Sequence, residues 1–134
     1  MQNSQLKQGF VPSEYDIFAG LDVDKKNIAA TFLDNTGQMK QIKIPYDSGQ
    51  LINFVKNKYS NKRIAFVYES GPTGFGLYDD LTAAKHFCMV TSASKVPREP
   101  GNRVKTNRID SQKLSENLRG GQLKSIHIPT ESYR

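Results

Sequence analysis

Three acidic residues in this sequence stand at the ends of predicted secondary-structure elements. Asp22 lies near the C-terminal end of a first predicted strand, Glu69 directly follows a buried central strand, and Asp110 opens the last predicted helix. Because an open α/β sheet gathers its ligands at the carboxyl ends of its parallel strands, we expect these carboxylates to meet. Together they would form an all-oxygen site suited to Mg²⁺ or Mn²⁺. Two such ions about 4 Å apart can activate a nucleophile and stabilise the leaving oxygen in phosphodiester cleavage or transfer.

Each of these acids also has a purely structural interpretation. An acid at a strand end can bond to a turn, and an acid in the first turn of a helix is favoured by the helix dipole, so Asp110 alone carries little weight. Asp22 is the stronger candidate, because a carboxylate inside the apolar stretch GLDV is costly to bury without a function. Glu69 is similar, since it follows the apolar run IAFVY. The metal-site hypothesis therefore depends on the three acids together.

The elements that must position these acids follow from hydrophobic periodicity and turn signals. The pattern predicts the order β-β-β-α-β-α-β-loop-α, with Asp47 or Ser48 as the N-cap of the first helix and Gly120-Gly121 ending the last. The predicted strands cover residues 17–23, 27–33, 39–45, 64–68 and 87–91, and Leu123, Ile126 and Ile128 suggest a further strand. We therefore expect an α/β fold, a mixed sheet with three antiparallel strands and flanking helices, in the element order of the ribonuclease H-like fold.

Length and composition limit the function classes. A chain of 134 residues is one domain by the usual prior of roughly 100–200 residues each. No apolar run approaches the length of about 18 residues that a membrane span needs, and the first residues do not resemble a secretory signal. The single cysteine, Cys88, excludes a disulfide framework and a cysteine-based zinc site, and it fits a reducing cytoplasm. We expect residues 1–14 to be a flexible tail and 15–134 to form the domain.

The net charge of +6 is concentrated in one segment. Between residues 92 and 124, eight basic residues face three acidic ones, so this segment carries +5 of the net charge. Five of the basic residues fall in the predicted loop before the last helix: Lys95, Arg98, Arg103, Lys105 and Arg108. Such a concentration is typical of a protein that binds a polyanion, most often nucleic acid, although a solvated basic loop without a partner has the same composition.

Four motifs together resemble a known family. They are GLDVDKK, VYESGPTG, KTNRIDSQKL and LRGGQLKSIHIP, and they occur in the family's order between residues 17 and 134. They resemble the N-terminal domain of DEDD-class insertion-sequence transposases, a family that includes Piv-like DNA invertases and bridge-RNA-guided recombinases. The resemblance implies a RuvC-like, ribonuclease H-type fold and four acidic residues that bind a divalent metal. It also implies a separate C-terminal domain with a nucleophilic serine, which this chain does not contain.

The resemblance assigns roles to four positions of this sequence. The family's first two acids correspond to Asp22 and Glu69, and its last two correspond to Asn107 and Asp110. The third acid is thus replaced by an amide, which keeps a carbonyl oxygen but removes a negative charge and should lower metal affinity. Three explanations stay open: a natural variant, an engineered inactivating substitution, or a shifted ligand such as Asp24, which shares a strand face with Asp22 by the period of two.

The sequence therefore predicts the catalytic, metal-binding half of a DNA transposase or recombinase that acts in strand cleavage and exchange during transposition or inversion. The basic loop residues would contact the phosphate backbone beside the metal site. The resemblance adds DNA, a guide RNA in some members, and a homo-oligomer of the full-length protein as partners. Alone, this chain is not expected to complete strand exchange.

Two other function classes are weighed against this hypothesis. One is a non-catalytic nucleic-acid-binding module with a degenerate metal site, in which Asn107 marks the loss of activity. The other is an ATP-binding domain of the actin or sugar-kinase type, whose phosphate-binding turn resembles the hairpin GLDVDKK. That hairpin lacks the Gly-Thr/Ser cluster that cradles phosphate, and the chain has no room for a second nucleotide-binding lobe.

Overall fold

The computed structural model describes residues 10–92 and 110–129. Its centre is one five-stranded mixed sheet with the strand order β3-β2-β1-β4-β5. The strands are β1 Ile17–Val23, β2 Asn27–Asp34, β3 Met39–Pro45, β4 Ile64–Glu69 and β5 Phe87–Thr91. The first three strands pair antiparallel, whereas β4 runs parallel to β1 and β5 runs parallel to β4. The predicted mixed α/β class is confirmed, with five strands in all, of which the first three are antiparallel.

Three α-helices and one 3₁₀ helix accompany the sheet in the described ranges. They are the 3₁₀ helix Pro12–Glu14, α1 Ser48–Lys58, α2 Gly76–Ala83 and α3 Ser111–Arg119. The N-cap of α1 is Asp47, whose side chain accepts a hydrogen bond from the Gln50 amide at 3.2 Å. The end of α3 falls at Gly120-Gly121 as predicted, because Gly121 adopts the left-handed conformation (φ +72°) that closes a helix. None of the described helices is long and apolar enough to cross a membrane.

The sheet is covered on both faces, and each face has its own apolar core. One face packs against α1 and α2. On the other face, which we call the α3 face, Phe18, Ala65 and Val67 pack against Leu114 and Leu118 of α3. Because successive side chains of a strand point to opposite faces, every second residue of β1 and β4 belongs to the α3 face.

The N-terminal segment packs against the domain from Phe10 onwards. The Phe10 ring stacks on Tyr15 with ring centroids 5.3 Å apart and lies 4.9 Å from the Phe87 ring centroid. Residues 10–14, which composition placed in a flexible tail, therefore contribute aromatic contacts to the α3-face core. The rest of that predicted tail lies outside the described residues.

The further strand suggested for residues 123–128 does not form. This segment lies beside β5 instead, where the Ile126 amide donates to the Val90 carbonyl at 2.8 Å. The neighbouring link comes from a side chain, because the Thr91 hydroxyl donates to the Lys124 carbonyl at 2.8 Å. A side-chain bond takes the place of a backbone bond there, so the regular ladder of a strand pair is interrupted.

Helix α3 lies unusually close to β1 at Gly20. A Cβ atom added to Gly20 would lie 2.2 Å from the Ser111 carbonyl oxygen, 2.5 Å from the Ser115 amide nitrogen and 2.9 Å from the Leu114 Cβ. The first two contacts are with helix backbone, which cannot rotate away as a side chain can. Only glycine fits at this position, and its missing side chain sets the distance between α3 and the sheet.

We predict that Gly20→Ala destabilises the domain by about 1–3 kcal/mol or more, because the added methyl group must push the helix backbone away from the sheet. Chemical denaturation gives the free energy of unfolding. Gly71→Ala is the matched control, since a Cβ atom there would meet nothing within 4 Å. Equal stability of the two variants would contradict the close packing of α3.

His86 is half-buried beside the core on the α1 and α2 face. Its ring meets the Phe66 ring edge-on, with centroids 5.4 Å apart. Burial lowers the pKa of His86 below its ordinary value, because an apolar environment disfavours the charged imidazolium. The unfolded chain therefore takes up this proton at a higher pH than the folded chain does.

The sign of the resulting pH dependence follows from linkage. The contribution of neutral His86 is fully present above the ordinary histidine pKa of about 6.5 and is lost as the pH falls towards the folded-state pKa. We predict that His86→Gln makes the free energy of unfolding less dependent on pH between about 7.5 and about 5. Urea titrations of both proteins at the two ends of this range measure the change, and parallel losses of stability would rule out the effect.

Candidate functional site

A cleft of about 260 Å³ opens at the carboxyl ends of β1 and β4. Its walls are residues 21–25 from the end of β1 and the following turn, residues 69–73 after β4, and Leu114 of α3. Both Asp22 and Glu69 line this cleft. The structure thus brings together two of the acids that the sequence singled out.

The strand register explains why these two carboxylates meet. Leu21 of β1 pairs with Tyr68 of β4 in parallel, and Asp22 and Glu69 are the next residues of their strands. Leu21 and Tyr68 point into the α1 and α2 core, so by alternation Asp22 and Glu69 belong to the α3 face. Both side chains are half-buried, and the Oε2 atom of Glu69 is buried from solvent.

Asp24, the alternative ligand considered above, has a role in the β1–β2 turn. Its Oδ1 atom accepts hydrogen bonds from the Lys26 amide at 2.8 Å and from the Asn27 amide at 2.7 Å. Asp24 also lies one residue beyond the end of β1, so the strand period does not fix the direction of its side chain. It lines the same cleft as Asp22, but its carboxylate closes the turn.

Asp110 is the N-cap of α3. Its Oδ1 atom accepts a hydrogen bond from the Lys113 amide at 2.8 Å, which is the bond that an N-cap side chain supplies. Asp110 is exposed and does not line the cleft, whereas Leu114, one turn further along α3, does. The structure therefore places Asp110 at the start of the helix that borders the cleft.

The other predicted site residues lie outside the described residues. They are Asn107 and the basic residues Lys95, Arg98, Arg103, Lys105 and Arg108. Within residues 10–92 and 110–129, no group of three or more His, Cys, Asp and Glu side chains could by itself hold a metal ion. The described part of the cleft supplies two carboxylates, Asp22 and Glu69.

Sequence reasoning missed a polar network that holds the start of α3. The hydroxyl oxygens of Thr31 and Ser111 lie 2.7 Å apart in a hydrogen bond, and the Gln41 side-chain amide donates to Thr31 Oγ1 at 3.1 Å. Thr31 is fully buried and lies opposite Gly20 in the β1–β2 register. The available signal was a lone hydroxyl inside the apolar strand NIAATFL, which must find a partner when it is buried.

A second missed feature is the anchor of the loop after Glu69. The Tyr68 hydroxyl donates to the Gly74 carbonyl at 3.0 Å and accepts from the Tyr78 amide at 3.2 Å. The N-cap residue of α2, Phe75, makes no side-chain capping bond, so the Tyr68 hydroxyl does the work of a cap. Burial raises the pKa of Tyr68 above its ordinary value. This one hydroxyl ties the cleft loop to the sheet.

We predict that Tyr68→Phe lowers the free energy of unfolding by about 1–3 kcal/mol, because it leaves the Gly74 carbonyl and the Tyr78 amide without their buried partner. Amide hydrogen exchange should become faster at Tyr78. Tyr59→Phe is the control, since Tyr59 packs on the same core chiefly through ring contacts with Phe32 and Phe54. Similar losses in both variants would show that the Tyr68 hydroxyl does not anchor the loop.

The chain is similar in sequence to proteins that are named as transposases. It is 37% identical over 125 residues to transposase y4qE of Sinorhizobium fredii, an alignment that covers 88% of this chain and 31% of that protein. It is 28% identical over 110 residues to the transposase for insertion sequence element IS1533 of Leptospira borgpetersenii, which covers 80% of this chain and 32% of that protein. The chain therefore spans about a third of the length of the curated relatives it matches. No protein-family model matches it.

Proposed function

We propose that this chain is the metal-binding catalytic part of a DEDD-class insertion-sequence transposase, acting on DNA. The observation that carries the proposal is the pair Asp22 and Glu69, which line one cleft at the ends of adjacent parallel strands. The similarity to named transposases over most of the chain supports the same class of function.

The architecture supports a ribonuclease H-like, RuvC-like domain. Three antiparallel strands are followed by two parallel ones, and α3 packs on the face that carries Asp22 and Glu69. An antiparallel β4 would begin, not end, beside Asp22. The parallel pairing is therefore the topological feature that allows both acids to serve one site.

The donor set fits a hard divalent cation such as Mg²⁺ or Mn²⁺. Carboxylate oxygens are the ligands that these ions prefer, and the cleft offers them from two strands. In the proposal Asp22 and Glu69 hold the ion, Asp110 approaches from the start of α3, and Asn107 offers an amide oxygen in place of a fourth acid. When bound, the ion would help to activate a nucleophile and to offset the charge of a phosphodiester.

The protein's own residues supply the geometry of this site. Gly20 and the Thr31–Ser111 hydrogen bond hold the start of α3 against the sheet. The capping bond from Lys113 restricts the Asp110 carboxylate to one orientation. Tyr68 holds the loop on the opposite side of the cleft. The carboxylates are thus presented from restrained elements, which is what a precise metal centre requires.

The whole reaction belongs to the proposal as well. Strand cleavage and exchange would need the serine-bearing domain that the family resemblance implies. The basic loop residues would hold the phosphate backbone beside the cleft, which makes DNA binding dependent on salt. A guide RNA and a homo-oligomer remain predictions from the resemblance.

Calorimetric titration of Mn²⁺, with and without a DNA duplex, tests the proposal. We expect Asn107→Asp to bind Mn²⁺ about tenfold more tightly or better, because one more carboxylate about 4 Å from the ion adds attraction that exceeds its desolvation cost. Asp22→Asn and Glu69→Gln should each abolish binding. Glu116→Gln is the matched control, since it removes the same charge from the exposed side of α3.

Three results would contradict the proposal. Unchanged Mn²⁺ binding in Asp22→Asn and Glu69→Gln would remove the metal role of the cleft. Salt-sensitive DNA binding without any Mn²⁺ binding, even with DNA present, would favour a non-catalytic nucleic-acid module. Binding of ATP in place of DNA would favour the kinase-like alternative.

A further inference from the structure

A row of five residues crosses the α3 face of the sheet at the level of the two acids. Lys43 of β3 pairs with Ala29 of β2, and Ala29 pairs with Asp22 of β1. Glu69 of β4 stands beside Asp22, because the preceding residues of the two strands are paired, and Glu69 pairs with Thr91 of β5. Residues in register across a sheet point to the same face. Lys43 is therefore on the same face, and in the same row, as Asp22 and Glu69.

The part of this row between Lys43 and Asp22 is open to solvent. Helix α3 covers the neighbouring row, where Thr31 is fully buried against Ser111. Ala29 lies two residues from Thr31 on the same face, beyond the start of the helix, and it is only half-buried. A shallow floor formed by the Ala29 methyl group therefore separates Lys43 from Asp22. Two strand spacings, about 10 Å, lie between their Cα atoms.

This arrangement addresses the main electrostatic problem of the proposed site. A cleft with two carboxylates repels the phosphates of a nucleic acid, and a cation close by offsets that repulsion. Lys43 is exposed at the edge strand and faces the open floor. Its long, flexible side chain can reach a phosphate that lies over β2. Lys40, on the same strand, pairs with Phe32 and so faces the opposite side of the sheet.

We propose that Lys43 binds a backbone phosphate of DNA that enters the cleft across Ala29, on the α3 face of the sheet. This inference rests on the proposed function, and it adds a direction of approach and a contact outside the basic loop. The phosphate next to the one held at Asp22 and Glu69 would lie over β2. Lys43 is a positioning residue in this arrangement, because it contacts the DNA backbone away from the reacting atoms.

The test is DNA binding by the full chain, measured as the fluorescence anisotropy of a labelled random-sequence duplex over a series of salt concentrations. We expect Lys43→Gln to reduce the slope of log affinity against log salt by about 1 and to weaken binding about five- to tenfold at about 0.1 M salt. Lys43→Arg should restore both values, because it keeps the charge. Lys40→Gln is the matched control and should change the slope by much less.

A second variant tests the path rather than the charge. Ala29→Gln adds bulk to the half-exposed floor without adding charge, so it should weaken DNA binding while leaving the salt slope nearly unchanged. Circular dichroism and thermal melting establish that each variant is folded.

The outcomes separate this inference from the proposed function. Equal slopes for Lys43→Gln and Lys40→Gln, with the unsubstituted chain binding DNA, would overturn the role of Lys43 alone. An unsubstituted chain that binds no DNA even at low salt would overturn the DNA-directed function and this inference together. Unchanged binding in Ala29→Gln would show that DNA does not cross β2 at this row.

Discussion

The close contact between α3 and Gly20 is the constraint on which the rest of this structure depends. Without a Cβ atom at Gly20, the backbone of Ser111 and Ser115 can lie directly on β1. This approach lets Leu114 and Leu118 cover the apolar side chains of the α3 face. It also puts the start of the helix, with Asp110 as its cap, beside the cleft. One missing side chain thus determines the core on this face and one border of the site.

The site itself results from the change in strand direction within the sheet. In the antiparallel half, neighbouring strands end at opposite edges, so strand-end residues cannot gather. Between β1 and β4 the direction is shared, and Asp22 and Glu69 end at the same edge. The Tyr68 hydroxyl then holds the loop that follows, in a position where α2 has no side-chain cap of its own. Core packing and site geometry therefore use the same residues.

The polar groups of the α3 face divide into those that hold the fold and those that face the cleft. Thr31 and Ser111 bond to each other in the interior, and Asp110 bonds to the first turn of its own helix. A capping carboxylate that also serves a metal would be oriented before the metal arrives, which lowers the cost of ordering it. Lys43 stands outside this set, at the exposed edge strand, where its charge can meet a polyanion.

Local features of the sequence determined the identity and order of the five strands and three helices. Periodicity, the Asp47 cap and the Gly120-Gly121 stop act within a few residues, so they can be read without the fold. The sequence also pointed to Asp22 and Glu69 as acids at strand ends. Only the tertiary structure decided that residues 123–128 form no strand, that Gly20 must lack a side chain, and that Lys43 shares a row with the acids. Register, face and helix placement depend on pairing between distant segments, which local sequence patterns do not specify.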